Sequence, residues 1–395
     1  MRTAIVGGGA AGFFLAINLK ELMPEMEVTI FERSQRVLAK VEVSGGGRCN
    51  CTNTFRLVRD LSAVYPRGHR LMKRLFYTFN YDDAYQWFER HGVALVRQDD
   101  ECVFPQAQDS HVIIDCFLSL ARQYHIDIRT REKIDSLEQL LGYDYVAVTT
   151  GGSPRGEGLR WLADMGHEIE PPVPSLFTFS IEDCGLHALM GLVVDGCSVQ
   201  IPGTRLHADG PLLITHWGMS GPAILRLSSY AARLLADSGY RLPLSVNWVS
   251  LNDVHIQAAL YEHAMRQPQK QLSTNNPFGL PQRLWTYLMQ KALGNHTQPR
   301  WSELNKKDIN RLVNVLCNDT YQIAGRAAFK DEFVTCGGVS LKALNPSTLE
   351  SRHVPRLYFA GEVLDIDGVT GGFNFQAAWT TAYTVARSIS LSPVP

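Results

Sequence analysis

The sequence predicts an α/β fold: a Rossmann-like domain split by an inserted β-rich plus helical region. Three observations predict it. The first 33 residues read as strand, glycine turn, helix and strand; a further strand ending in glycine stands near the C-terminus; and the composition between them changes to short strands and then helices. At ~100–200 residues per domain, a chain of 395 residues has room for more than one core.

Composition narrows the class. Apolar residues make up 45% and charged residues 19%. That is below the ~25% charge of an average soluble protein and points to a compact globular chain, not a disordered, collagen-like or coiled-coil one. Lys and Arg number 38 against 39 Asp and Glu, a formal net charge of −1, so no global field draws the protein to nucleic acid or an anionic membrane. The cysteines at 49, 51, 102, 116, 184, 197, 317 and 336 lack the density of a secreted disulfide scaffold. Reduced thiols and a cytoplasmic location are expected. Cys49 and Cys51 form a C-x-C with no second Cys or His cluster beside it, so no metal is expected. The apolar start up to Leu19 is broken by Gly7, Gly8, Gly9 and Gly12 and is shorter than the ~20 apolar residues that span a bilayer; no membrane segment is expected.

The elements follow in order. Thr3–Val6 is a run of strand formers, Phe13–Leu22 an apolar helical pattern, and Val28–Phe31 a second strand ending at Glu32 and Arg33. Helical spacing recurs from Asp109 to Tyr124, and Tyr145–Thr149 is a buried-strand candidate that ends in Thr150, Gly151 and Gly152. Pro171, Pro172 and Pro174 are expected to interrupt any regular element and to mark a crossing between domains. From Cys184 to Val249 the chain reads as short strands, with one helix from Pro222 to about Ser238 that stops at Gly239. Residues 251–316 read as helices: Pro281 suits a first turn before Leu284, Gly294 can end that helix, and Ser302 can cap the next. Arg356–Gly361 reads as one more parallel strand, returning to the first sheet, and a helix from Asn374 to about Ile389 closes the chain. The expected domains are 1–183 with 331–395, an inserted β-rich domain at 184–250, and an inserted helical domain at 251–330.

The first unit carries chemistry. Gly7-Gly8-Gly9-Ala10-Ala11-Gly12 is a G-x-G-x-x-G turn between strand and helix, and Glu32 lies 20 residues beyond its last glycine. Gly7 permits the tight turn, Gly9 lets a pyrophosphate approach the backbone, and Gly12 lets the helix sit close to the strand. The helix N-terminus offers free N–H groups to phosphate, and Glu32 can accept hydrogen bonds from a ribose. The pattern as a whole points to a dinucleotide.

Four further blocks carry a family resemblance. Ser44-Gly45-Gly46-Gly47-Arg48-Cys49-Asn50 with Thr52-Asn53 resembles the S-G-G-G-R-C-N-x-T-N signature of a bacterial flavoprotein family, the BaiN/YhiN-like and aminoacetone oxidase-like proteins. Thr215-His216-Trp217-Gly218-Met219-Ser220-Gly221-Pro222 is similar to the family's T-H-x-G-x-S-G-P. Thr335-Cys336-Gly337-Gly338-Val339 resembles its T-x-G-G-V, and Ala360-Gly361-Glu362 through Gly371-Gly372-Phe373-Asn374 its A-G-E and T-G-G-[YF]-N block.

The resemblance implies a glutathione-reductase-type, Rossmann-like FAD-binding domain and FAD as the dinucleotide. It implies that Gly7, Gly9, Ala11, Gly12, Glu32, Arg33 and Lys40 hold the ADP half, with Ile134 against the adenine. Gly372 and Asn374 would lie against the isoalloxazine and Asp365 near the ribityl chain. Ser44, Gly45, Gly46, Gly47, Arg48, Asn50, Thr150, Gly151, Gly361, Glu362, Gly371 and Phe373 complete the implied cofactor-binding set. A helix starting at this last block aims N–H groups outward, where they stabilise the negative charge of a reduced flavin.

Arg48 and His216 are the catalytic candidates. Arg48 could hold a substrate carbonyl or a flavin oxygen, clamp the pyrophosphate, or brace its loop. His216 could act as a general acid or as a structural residue. Cys49 and Cys51 read as buried inert thiols before they read as a redox pair. The stretch Arg67 to Arg74 is the most basic in the chain, either a solvated helix face or a surface for RNA. No second glycine fingerprint follows a strand, so a nicotinamide would dock transiently. The expected function is FAD-dependent two-electron (hydride) transfer, with NAD(P)H-linked reduction of an unsaturated small molecule placed first. Amine oxidation with oxygen and uridine reduction in ribosomal RNA are the family's alternatives, and a binding module with structural FAD is the reading from another class.

Overall fold

The computed structural model describes residues 1–294, 299–326 and 334–392. The chain divides into two units: Met1–Pro174 with Val334–Pro395, and Ser175–Phe333. The expected boundary at 330/331 lies outside the described residues.

The first unit is built on five parallel strands in the order Leu357–Phe359, Tyr145–Val148, Arg2–Val6, Glu27–Glu32, Asp127–Thr130. Ile5 lies level with Ile30 on one side and Ala147 on the other, and all three are fully buried. Such continuous apolar runs suit a parallel sheet covered on both faces. The strand near the C-terminus returns to this sheet, pairing with Tyr145–Val148 at its edge. Helix Ala10–Leu22 packs on the closing helix Phe373–Leu391 through aromatic rings: Phe14 stands 5.0 Å from Trp379 and 4.6 Å from Trp87. The Trp379 indole also donates to the Cys51 carbonyl at 2.8 Å, which ties the loop after residue 44 to the closing helix.

The prolines at 171, 172 and 174 do not break regular structure. They lie within strand Ile169–Ser175, paired with Val334–Val339 in a two-stranded sheet. A proline cannot donate to a ladder, and a two-stranded sheet leaves each strand a side on which no donor is needed.

The second unit contains a closed six-stranded barrel, with strand order Val193–Gln200, His207–Thr215, Gly218–Ser220, Phe179–Ile181, Asp319–Arg326, Pro243–Asn247. Two of these strands, Phe179–Ile181 and Asp319–Arg326, lie outside the stretch expected to be β-rich, and they close the ring. Helices Asp253–Arg266, Gln282–Leu293 and Lys306–Cys317 bury Ile256, Trp285 and Leu312 in the same hydrophobic cluster as Trp248 and Ile214 of the strand region. Strands and helices of the insertion therefore share one core. The expected single helix after Pro222 is two, Pro222–Tyr230 and Ala232–Asp237, with Ala231 between them. Ser302 lies in a 3-10 turn, and the cap of the following helix is Asn305, whose side chain accepts from the N–H groups of Lys307 and Asp308.

Trp379 is fully buried among aromatic rings and bonded to Cys51. Trp379→Ala is expected to cost about 4 kcal/mol, read as a fall in the urea midpoint by circular dichroism.

Candidate functional site

The site grows from the end of the first strand. Gly7 has φ +118°, and a Cβ there would strike the Thr149 carbonyl; one on Gly12 would strike the carbonyl of Gly7 itself. Helix Ala10–Leu22 can start this close to the strand only because both positions lack side chains. Thr149 Oγ1 donates to the carbonyls of Val6 and Gly7 at 3.2 and 2.9 Å, which fixes the turn from the neighbouring strand. The helix is capped by Gly9 with no side-chain cap bond and has no acid in its first turn. Its first N–H groups and positive dipole end remain available to an anion. A Cβ on Gly9 would meet nothing within 4 Å, so there is room for a pyrophosphate to come up to the backbone.

Glu32 ends the second strand. Its Oε2 accepts from the Gly8 N–H at 2.9 Å, and its Oε1 accepts from the N–H and hydroxyl of Ser34, both at 2.8 Å. A carboxylate has about four acceptor positions, so one stays open for a ribose hydroxyl. Arg33 is exposed beside it. The N–H of Glu132 bonds the Glu32 carbonyl at 3.0 Å, which brings the chain before Ile134 alongside. Ile134 lines a cavity of about 390 Å³ with Phe31, Arg129 and Tyr143.

Lys40 is taken by another charge. Its ammonium lies 2.8 Å from Oε2 of Glu362, whose Oε1 accepts from the Thr335 N–H at 2.9 Å. Gly361 lies against the Ala11 methyl, and Gly152 against Thr335 and Glu362. Glu362 is thus brought to the first turn of helix Ala10–Leu22 and the Thr150–Gly152 strand end, whereas Asp365 is tied through its backbone N–H to the Val339 carbonyl at 3.0 Å. The Thr335 hydroxyl is buried without a hydrogen-bond partner, a donor that a bound polar group could satisfy.

Gly45, Gly46 and Gly47 have φ of 56°, 70° and 84°, a left-handed run that favours glycine. The Ser44 hydroxyl donates to the Val41 carbonyl at 2.7 Å. Arg48 is exposed, donates to the Gly45 carbonyl at 3.2 Å, and stacks 4.5 Å over Phe104. These contacts favour the bracing role for Arg48. Cys49 and Cys51 are buried; burial pushes the Cys49 thiol up to about 12 and that of Cys51 well above the usual range. Neither is poised as a nucleophile.

The closing helix begins at Gly372, with no side-chain cap and no acid in its first turn. The approach to it is held from a distant segment. With its amide turned to suit its neighbours, the Asn50 oxygen accepts from the Gly372 N–H at 3.2 Å. Asn53 donates to the Gly371 carbonyl at 3.1 Å, Tyr65 to the Phe373 carbonyl at 2.8 Å, and Thr52 to Gln376 at 2.6 Å. Asn374 spends its side-chain amide on Gly368, accepting from its N–H and donating to its carbonyl, both at 2.8 Å. One donor and one acceptor position of the amide are thereby used. Fully buried Asp367 takes a two-point bond from Arg67, with Nε at 2.5 Å. Burial works against the Arg67 charge, but the bond and charge of Asp367 outweigh it and push the guanidinium up.

The structure brings together the glycine turn, Glu32, Lys40, Glu362, the Ser44–Asn50 loop and the Gly371–Asn374 helix start, all in the first unit. His216 belongs to the second unit. It is exposed on the turn joining strands His207–Thr215 and Gly218–Ser220, not between a strand and a helix start. Sequence reasoning missed Thr149, Tyr65, Arg67 and Asp367; the last two meet across 300 residues, a pairing that leaves no local signal. Among the described residues no cluster of potential metal ligands occurs, and no helix is long and apolar enough to cross a membrane.

A family model described as the HI0933-like protein Rossmann domain matches residues 1–388. Among curated proteins, the chain is 28% identical to a ribosomal RNA dihydrouridine synthase of Escherichia coli, over 98% of this chain and 97% of that one. It is 24% identical to a 3-dehydro-bile acid delta(4,6)-reductase of Clostridium scindens, over 99% of this chain and 100% of the other. Among solved structures, a 3-ketosteroid delta1-dehydrogenase from Sterolibacterium denitrificans matches with a TM-score of 0.51 at 12% identity, covering 98% of this chain and 99% of that one. That likeness speaks for the fold.

Gly12→Ala is expected to abolish retention of FAD, measured as loss of flavin absorbance after desalting, because its Cβ has no room beside Gly7. Gly46→Ala, with φ +70° but nothing within 4 Å, should retain FAD and lose only about 1 kcal/mol of stability. Ellman's reagent at about pH 8 should label exposed Cys184 quickly, with Cys49 and Cys51 reacting only on unfolding.

Proposed function

The chain belongs to the HI0933-like Rossmann family, the BaiN/YhiN-type FAD-binding oxidoreductases, and from that premise we propose that it reduces a carbon–carbon double bond conjugated to a carbonyl, with NAD(P)H as donor. One observation carries the redox part: the bare, rigidly held N-terminus of helix Phe373–Leu391. The relatives' names suggest the substrate class. Dihydrouridine is uridine with its ring C=C saturated, and a delta(4,6)-reductase acting on a 3-dehydro steroid removes double bonds conjugated to a ketone.

When bound, FAD supplies the two-electron carrier. The residues of the chain orient it. The first turn of helix Ala10–Leu22 would take the pyrophosphate, Glu32 the ribose, and Ile134 the adenine. Glu362, paired with Lys40 and bonded by the Thr335 N–H, would help to close the site beside that turn. The N–H groups after Gly372 would supply a positive end that favours negative charge on the flavin. The bonds of Asn50, Asn53, Tyr65 and Arg67 keep that helix start in place, so no reorganisation is needed as charge develops. Arg48 braces the Ser44–Asn50 loop. All eight cysteines are free, in keeping with a cytoplasmic setting where NAD(P)H is at hand.

Anaerobic stopped-flow mixing tests this reading. NADPH or NADH should bleach the flavin rapidly, oxygen should restore it slowly, and a small 4-en-3-one should restore it fast. Bleaching by aminoacetone with fast oxygen turnover would replace the proposal with an amine oxidase.

A further inference from the structure

Helix Asp253–Arg266 of the second unit gives Ile256 and Leu260 to the core. Its opposite side is apolar as well. Val254 is 67% exposed, Tyr261 40% and Met265 77%, and Ala258 is exposed between them. At about 100° per residue these four positions fall within an arc of about 60°, a single stripe turned away from the core. Exposed apolar side chains scattered singly need no explanation. Four in register on one helix form a seam that nothing among the described residues covers.

The order of side chains along the seam says what fits it. Large and small residues are arranged about the midpoint between Ala259 and Leu260. A second copy of the helix running the opposite way therefore meets its own complement: Met265 comes level with Val254, and Tyr261 with Ala258. A ring over an alanine and a long side chain over a short one interdigitate. Parallel pairing sets Tyr261 on Tyr261 and leaves a gap where Ala258 meets Ala258. The borders agree. His255 and Glu262 flank the seam on one side, about 100° and 80° round the helix from Val254. Antiparallel helices bring like flanks together, so Glu262 of one copy comes within about 3 Å along the axis of His255 of the other. Both side chains are already held: His255 Nδ1 lies 2.6 Å from Oδ1 of Asn252, and the Glu262 carboxylate 2.5 Å from Arg266. Groups fixed beforehand lose little entropy on association. The other flank sets Gln257 beside Ala264. A lipid surface would favour Lys or Arg along both borders, and neither border has them.

We propose that the chain forms an antiparallel two-fold dimer through helix Asp253–Arg266 of each copy. The contact is isologous, so it closes at two copies. One helix from each copy buries on the order of 1,000 Å², where specific interfaces begin. The dimer is accordingly weak, with a dissociation constant on the order of 10 μM. It stands whether or not the reductase reading holds.

Sedimentation velocity of the holoenzyme from about 1 to about 100 μM brackets that constant, and monomer should give way to dimer across the range. Met265→Glu and Val254→Lys each put a charge against an apolar side chain of the second copy, and each should raise the dissociation constant about tenfold or more. The double variant Val254→Lys with Met265→Glu sets Lys on Glu at both ends of an antiparallel pair and should recover to within about threefold of the unaltered protein. In a parallel pair the same variant sets like charge on like and stays monomeric. Both positions are exposed, so flavin content and the urea midpoint should match the unaltered protein in all three. A protein monomeric throughout the range overturns the proposal, as does a dimer that ignores both single substitutions or a double variant that fails to recover. Flotation with phosphatidylglycerol vesicles is the second measurement: binding by the unaltered protein that Met265→Glu abolishes assigns the seam to a membrane and overturns the dimer.

Discussion

The start of the closing helix depends on side chains that lie some three hundred residues earlier in the chain. Gly371 and Gly372 have φ of 126° and 86°, and a bare helix N-terminus at Phe373 has little of its own to fix its direction. Asn53, Tyr65 and Arg67 bond to Gly371, Phe373 and Asp367 across 318, 308 and 300 residues. Each bond is expected to contribute about 1 kcal/mol, more for the one to the buried Asp367 carboxylate. The early segment is in turn tied to the closing helix, whose buried Trp379 indole bonds the Cys51 carbonyl.

Electrostatics follow from the same arrangement. Both helix N-termini of the site lack a capping side chain and a first-turn acid, so neither positive end is neutralised from within. The charged pairs nearby neutralise one another instead: Lys40 with Glu362, and Arg67 with Asp367. The Arg67–Asp367 pair is desolvated and could not persist with one partner removed, since a lone buried charge is far costlier than the pair. The backbone dipoles of the two helix starts cannot titrate, and Lys40 is paired with Glu362.

The insertion has its own logic. A barrel closes only if its edge strands find partners, and here the closing strands come from the beginning and the end of the inserted chain, Phe179–Ile181 and Asp319–Arg326. The helices between them fill the same core. Buried Asp319 is answered by Lys291, Tyr321 and Trp248 at 2.5, 2.5 and 3.0 Å. One core with one satisfied buried charge makes the insertion a single compact unit, although its composition changes from strand-forming to helix-forming partway along.

The local grammar of the first unit was legible from residues alone. Gly7, Gly9 and Gly12, the apolar helix and Glu32 sit within one stretch of 32 residues, and each acts on a neighbour in that stretch: Gly12 on Gly7, Glu32 on Gly8. Short-range sterics and periodicity suffice there, and the same holds for the return of the last strand to the sheet, signalled by its apolar run and terminal glycine. What only the tertiary structure decided are the pairings across hundreds of residues: Lys40 with Glu362, Arg67 with Asp367, the side-chain amide of Asn374 turned inward to Gly368, and the strands that close the barrel. A proline-rich stretch became a strand because a partner strand arrived to pair with it. The physical reason is that periodicity and turn chemistry act within a few residues along the chain, whereas a charged or polar side chain is committed by whichever distant group the fold brings within hydrogen-bonding distance.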